Sequence, residues 1–229
     1  MCKCICDMNV TAEEVLDHDF DHVAVATGST WRSDGVGRQH DRAIPISADA
    51  EILTPDDLLS GLRPRGNRVV VFDDDHYYLG GSLAELLAAE GFEVEIVTPE
   101  PLVSAWTVNT LEQGRIHRRL LEVGVGIHTQ ESVCEVGDTN VTVECVVTGH
   151  RHQVDAESVV MVTARTPDDA LAVSLSGLIP DTADAARPCS VTAVGDAFVP
   201  STIASAVWWG HRYARELEED PATFTFRRE

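Results

Sequence analysis

From Asn67 to Thr129, apolar runs and amphipathic stretches follow one another at a spacing that few architectures accept. RVVVF at 68–72 is a continuous apolar run, the mark of a strand covered on both faces. A helical stretch at about 80–90 closes at Gly91, EVEIVT follows at 93–98, a second helical stretch at about 110–123 closes at Gly124, and a third strand reads at 125–129. Strands separated by single helices of this length build a parallel sheet with right-handed crossovers. Shorter alternating runs at 132–136, 140–148 and 152–154, broken by Gly137-Asp138 and Gly149, predict an antiparallel meander laid over that sheet, and 158–163 reads as one more strand.

The flanks are less regular. HVAVATG at 22–28 reads as a short buried strand ending in a tight turn. A polar, irregular stretch runs to about Ile52. Thr54-Pro55-Asp56-Asp57 then predicts an N-cap, a Pro at the first helical position and an acidic first turn, with Gly61 ending the helix. The segment after 163 reads as a loop rich in Pro, Asp and Ala. SVTAVGD at 190–196 reads as a strand with a turn, and Ser201 is expected to cap a helix reaching about Glu219, with Ile203, Val207, His211 and Ala214 on one stripe.

With 38 acidic residues against 17 basic ones and a net charge of -21, nucleic acid and anionic membranes are excluded as partners by repulsion. Lys3 is the single lysine, and an acidic, lysine-poor surface suits high salt, where screening removes self-repulsion. Neither an apolar run of about 18 residues nor a signal-peptide pattern is present, which predicts a cytoplasmic location. Cys2, Cys4 and Cys6 alternate along an extended terminus, and Cys134, Cys145 and Cys189 are scattered, so reduced thiols are expected and no metal site. His117, His150, His152 and His211 show no ligand spacing beyond His150-x-His152, which reads as solvated surface.

Three signatures stand in order: VAVATGS at 23–29, the βαβαβ unit with its meander at 67–159, and VTAVGDA at 191–197 followed by a helix. That order resembles the flavoproteins in which a nicotinamide-binding domain interrupts a flavin-adenine-binding domain. The wording of ATGSTWRSDG (26–35), VVVFDDDHYYLGGSLAELLAAEGFEVEIVTPE (69–100), SAWTVNTLEQGRIHRRLLEVGV (104–125) and GDAFVPSTIASAVWWGHRYARELEE (195–219) is more closely similar to the C-terminal region of the trimethylamine dehydrogenase and 2,4-dienoyl-CoA reductase (NADH:flavin oxidoreductase) family, with the amine dehydrogenases nearer.

The resemblance implies an α/β fold: a Rossmann-like parallel sheet with a meander at 67–159, a degenerate NAD(P)-type domain, inserted in an incomplete FAD/NAD(P)-binding domain made of 1–66 and 160–229. It implies that Thr27, Gly28, Gly195 and Asp196 lie beside ADP or the adenine part of FAD. Trp106 stands where relatives present an aromatic to an electron-transferring flavoprotein; packing under its own loop is the other reading. The family's flavin-carrying barrel with its iron-sulfur cluster is not found, and Cys2, Cys4 and Cys6 lack the cluster spacing. No catalytic residue and no iron-sulfur cluster are therefore expected in this chain, and a barrel subunit or a second copy is expected as partner.

The turn after RVVVF departs from the family pattern. Glycines there would let the backbone approach a pyrophosphate at the helix N-terminus. Asp73, Asp74 and Asp75 stand in their place, and the span to the helix, with Gly80 and Gly81, is longer by about two residues than the usual loop. NAD(P)H is not expected, being repelled by like charge and denied space. One carboxylate is expected to cap the helix, a reading favoured over a bound cation. Glu100 reads as a surface charge, and Trp208 and Trp209 as one core residue and one partner-facing residue. The function expected is a non-catalytic portion or subunit of a flavin-dependent oxidoreductase, giving assembly, an adenine-nucleotide site and a docking face. The alternative is a stand-alone interaction or regulatory module with a Rossmann scaffold.

Overall fold

The computed structural model describes residues 6, 8–18, 20–179 and 190–217. In chain order it contains α1 (Ala12–Leu16), β1 (His22–Val25), β2 (Ser29–Trp31), β3 (Glu51–Leu53), α2 (Pro55–Leu59), β4 (Arg68–Asp73), α3 (Tyr78–Ala89), β5 (Glu93–Thr98), α4 (Gln113–Glu122), β6 (Gly126–Thr129), β7 (Glu131–Val136), β8 (Asn140–Cys145), β9 (Arg151–Asp155), β10 (Ser158–Val162), β11 (Arg165–Pro167), α5 (Ala170–Leu178), β12 (Ser190–Ala193) and α6 (Ile203–Glu216). Cys2, Cys4, Cys189 and the expected helix end at Glu219 lie outside the described residues.

The chain divides into two compact units, residues 31–165 and residues 1–30 with 166–229. The larger unit is built on a parallel sheet of order β3-β10-β4-β5-β6. Its central strands are buried along almost their whole length, as a sheet covered on both faces requires. Alternation sorts their side chains. Val69, Val71, Val160 and Val162 pack with Leu83 and Leu87 of α3 and Leu120 of α4. Val70, Phe72, Val159 and Met161 face the other way, against Val133, Val141 and Val143 of the β7-β8-β9 meander.

The boundary expected at 66/67 and 159/160 thus falls at 30/31 and 165/166. β3 pairs in parallel with β10, Ile52 opposite Val159, and so belongs to this sheet. The backbone at 45–47 bonds to β7 through Val136 N to Pro45 O at 2.9 Å and Ser47 N to Val136 O at 2.8 Å. Three residues were too few to show as a strand in the sequence.

In the smaller unit β1 and β12 pair in parallel, His22 opposite Ser190 through Val25 opposite Ala193. Ala12, Val25, Ala172 and Leu175 form its core, bringing α1 and α5 together. α5 occupies what was expected to be loop. Thr54 is the N-cap of α2 with a reciprocal capping box to Asp57, as expected. At α6 the cap is Thr202, which accepts from Ser205 N at 3.3 Å, and not Ser201. No described α6 residue is buried, so the stripe of Ile203, Val207, His211 and Ala214 is an exposed one and the expected core-facing tryptophan is corrected: Trp208 is exposed and Trp209, half-buried, stacks edge-on with Phe198 at 5.2 Å. No helix among the described residues is long and apolar enough to cross a membrane.

Candidate functional site

Ligands of parallel α/β sheets lie beyond the carboxyl ends of the strands, so the turn that leaves β4 is the first place to examine. Asp73 is the last residue of β4, opposite Val162 of β10, and Asp74 N and Asp75 N both donate to Val162 O, at 2.9 and 3.0 Å. The acidic run therefore folds back over the sheet end. Asp73 and Asp74 are fully buried and Asp75 is half-buried.

Each carboxylate finds its donors off the helix. Asp73 Oδ1 accepts from His76 N at 3.1 Å. Asp74 Oδ2 accepts from Arg38 N at 2.5 Å and Gln39 N at 2.9 Å, and the chain wraps it so closely that a Cβ on Gly37 would lie 2.2 Å from that oxygen. Asp75 is held by Tyr77 N. The N-cap of α3 is Tyr77, with no side-chain cap, so the expected capping by an aspartate does not occur. The added residues of the turn place the carboxylates before the helix, where the N-H groups of His76 and Tyr77 take Asp73 and Asp75 and those of Arg38 and Gln39 take Asp74.

α3 starts at Tyr78, two residues before the expected start near Gly80, and Gly80 and Gly81, grouped with the nucleotide loop as site residues, lie in its first turns, buried. A Cβ on Gly80 would sit 2.5 Å from Asp73 Cγ, and one on Gly81 2.8 Å from Ser104 Oγ. Asp73 is thus packed against the helix backbone where a pyrophosphate would approach. Residues that fill a phosphate site with their own side chains do not fit a nicotinamide dinucleotide.

The charge state differs from the one expected of three adjacent aspartates. Burial pushes Asp73 up to about 8, helped by Asp75 and Asp74, so at neutral pH it holds its proton. Burial raises Asp74 as well, against its two backbone donors. It also raises Asp75, against the pull of Arg165 and Arg38. His76 is held down to about 4 by burial and by Arg38, and is neutral. Exclusion of a phosphate here is by occupied space more than by three negative charges. His76 takes a positive φ of 66° and its carbonyl accepts from Trp106 N at 2.9 Å, tying the turn to the segment at 104–108. Arg38 lies over the Trp106 ring, 4.2 Å from its centroid, and Trp106 remains 39% exposed.

Gly37, Arg38, Gln39, His76 and Arg165 are the site residues the sequence reading missed. A glycine before a basic residue in DGVGRQH was the only local signal, and that residue, Arg38, is 36 positions from the carboxylate its N-H serves.

In the smaller unit the structure brings Thr27, Gly28, Gly195 and Asp196 together at the ends of the paired strands β1 and β12. Thr27 Oγ1 donates to Asp168 O, and Asp168 N donates to Gly28 O at 2.9 Å. Ser29 Oγ donates to Asp196 Oδ2 at 3.3 Å, and Ser201 N to Asp196 Oδ1 at 3.1 Å. Gly28 has φ +90° with no atom within 4 Å of an added Cβ, and Gly195 has φ +61°. A Cβ on Gly28 would thus meet open space, while one on Gly195 would meet Ala206 Cβ at 3.6 Å.

Residues 53–166 match the family described as the OYE-like second alpha/beta domain. The chain is 30% identical over 236 residues to dimethylamine dehydrogenase of Hyphomicrobium sp. (strain x), covering 93% of this chain and 31% of that protein. The structure of histamine dehydrogenase from Rhizobium sp. 4-9 superposes with a TM-score of 0.90 at 46% identity, over 97% of this chain and 35% of that one. The 6-hydroxypseudooxynicotine amine oxidase from Pseudomonas geniculata N1 gives 0.85 at 35% identity, over 90% of this chain and 30% of that one. The chain therefore spans about a third of the length of the relatives it matches. The chain is thus similar, over its own length, to part of the dimethylamine and histamine dehydrogenases, and its residues 53–166 are similar to the OYE-like second alpha/beta domain.

Proposed function

We propose that this chain is the C-terminal, non-catalytic portion or subunit of a flavin-dependent oxidoreductase of the trimethylamine dehydrogenase kind. It supplies assembly, a site for ADP or the adenine part of FAD, and a face for an electron-transferring flavoprotein. The substrate chemistry belongs to a flavin-carrying barrel, or to a partner that brings one. The observation that carries this reading is the turn after β4: its buried aspartates fill the strand end, so the larger unit serves as architecture, while open space beside Gly28 is offered to a nucleotide.

Two features support an assembly role. Among the described residues β1 and β12 form a two-stranded sheet, leaving outer strand edges. α6 also carries Ile203, Val207 and Trp208 more than half exposed.

Calorimetric titration of the full chain with ADP, FAD and NADH tests the reading. Binding of ADP or FAD that Asp196→Arg abolishes, with no heat from NADH, is the expected result. Saturable NADH binding by the wild-type chain would overturn it, and failure of all three ligands to bind would favour the stand-alone interaction module.

A further inference from the structure

Away from the aspartate turn, four side chains from four strands converge beside β6, the edge of the parallel sheet. His128 belongs to β6, Glu95 to β5, Glu131 opens β7 and His152 lies in β9. His128 Nε2 stands 2.9 Å from Glu95 Oε2. A carboxylate can only accept, so Nε2–H donates to Glu95, and Nδ1 is the ring nitrogen left to face Glu131. His128 Nδ1 stands 3.2 Å from Glu131 Oε2, and His152 Nε2 stands 3.7 Å from the same oxygen.

Glu131 Oε2 is shut off from solvent and has no donor aligned with it. A buried carboxylate oxygen without an aligned donor, with two imidazole nitrogens 3.2 and 3.7 Å away, is the arrangement a cation would complete. Glu95 is fixed in its role by the neighbouring strand: its Oε2 lies so near Gly126 that a Cβ there would come within 1.8 Å.

The donor set matches a known coordination chemistry. The ligand atoms of His128, Glu131 and His152 all lie within 4.8 Å of one another. In a tetrahedral zinc site, with bonds of about 2.0–2.2 Å, ligand atoms sit roughly 3.3 Å apart, close to the spacing found here. Two imidazoles and a carboxylate suit zinc and its divalent transition-metal neighbours, and the imidazoles disfavour magnesium or calcium. A metal-ligating imidazole whose other nitrogen donates to a carboxylate is the usual outer-shell arrangement, here His128 to Glu95.

We propose that His128 Nδ1, Glu131 Oε2 and His152 Nε2 bind a divalent transition-metal ion of the zinc class, with Glu95 orienting His128 and water completing the coordination. The ion bridges β6 of the parallel sheet to β7 and β9 of the meander, so its binding stabilises the larger unit by mass action.

The test uses the full chain without a histidine tag, dialysed against Zn2+, with metal content and thermal unfolding measured. The expected result is a single equivalent of Zn2+ and a raised Tm in the wild type, both lost in His128→Ala and His152→Ala and both kept in His150→Ala. Glu95→Gln weakens binding by about 10–100-fold. Co2+ bound to the wild-type chain gives visible tetrahedral bands without thiolate charge-transfer absorption, a readout independent of how any variant folds. Wild-type Zn2+ stoichiometry in His128→Ala and His152→Ala, or no Zn2+ uptake by the wild type at micromolar free ion, would overturn the proposal, leaving a protonated His128 between the two carboxylates.

Discussion

After β4 the chain leaves its sheet through Asp73, Asp74, Asp75 and His76, whose side chains are buried or half-buried and fill the space at the strand end. After β1 and β12 it leaves through Thr27-Gly28 and Gly195-Asp196, where positive-φ glycines turn the backbone and a Cβ added to Gly28 would meet no atom within 4 Å. Both are carboxyl ends of parallel strands, the usual ground for a nucleotide. The first shows that such a scaffold can keep its sheet, crossovers and helix while side chains take the ligand's place. The second shows how little is needed to keep the ground free.

The largest effect that could break this contrast concerns Asp73. Its folded pKa of about 8 lies above the ordinary 3.8, so the folded state holds a proton that the unfolded state releases. The associated stability is fully present below about pH 4 and is lost as pH rises through about 8. Asp73→Asn keeps the shape of the protonated acid and removes that dependence. The variant is expected to be more stable near pH 8 by a few kcal/mol, the gain growing by at most about 1.4 kcal/mol per pH unit across the window.

His76, held at about 4, acts oppositely: its contribution is present above about 6.5 and lost as pH falls through about 4, so the comparison is cleanest on the alkaline side. Urea unfolding of both proteins near pH 6.5 and pH 8 measures it. Equal slopes with pH would mean that Asp73 is ionised and solvated, and that the turn is not filled as described.

The next effect sets the same substitution against both regions. Gly80→Ala places a Cβ 2.5 Å from Asp73 Cγ and 2.8 Å from its Cβ, so the helix or the carboxyl must shift. The cost expected from overpacking is about 1–3 kcal/mol. Gly28→Ala meets no atom within 4 Å and is opposed only by its φ of +90°, at about 1 kcal/mol. Thermal unfolding ranks the two, and a double variant Gly80→Ala with Asp73→Gly should recover most of the first loss. A larger cost at Gly28 than at Gly80 would reverse the assignment of which turn is full.

The strands of the larger unit were legible because their side chains obey simple rules. The run at 93–98 is a strand over its whole length as read, and RVVVF is extended by one residue, Asp73, whose burial no carboxylate announces from sequence. The donors that make burial tolerable, Arg38 N and Gln39 N, come from a distant irregular stretch, and a backbone amide leaves no trace in the amino-acid code. α5 was hidden for a different reason. Its Ala, Ser and Gly residues resemble loop composition, and only packing of Ala172 and Leu175 against Ala12 and Val25 makes it a helix. His128 and His152 lie on separate strands 24 positions apart, so their convergence on Glu131 had no spacing to betray it.

The smallest effect sharpens where the filled turn ends and a surface begins. Trp106 is 39% exposed, has its backbone N-H on His76 O at 2.9 Å and carries Arg38 4.2 Å from its ring centroid. Removing the ring in Trp106→Ala leaves the backbone bond intact and forfeits a partly solvated cation-π contact, a loss of about 0.5–1 kcal/mol beyond the lost packing. Trp106→Phe should keep most of it. Because Arg38 also counters the ionised form of Asp75, freeing its side chain should raise the Asp75 pKa further, visible as a shift in the carboxyl carbon resonance on titration. A docking role predicts the opposite ranking for an electron-acceptor partner, with Trp106→Ala costing more in association than in stability. A stability loss well above that of Gly80→Ala would make Trp106 part of the turn's own packing and remove it from the docking face.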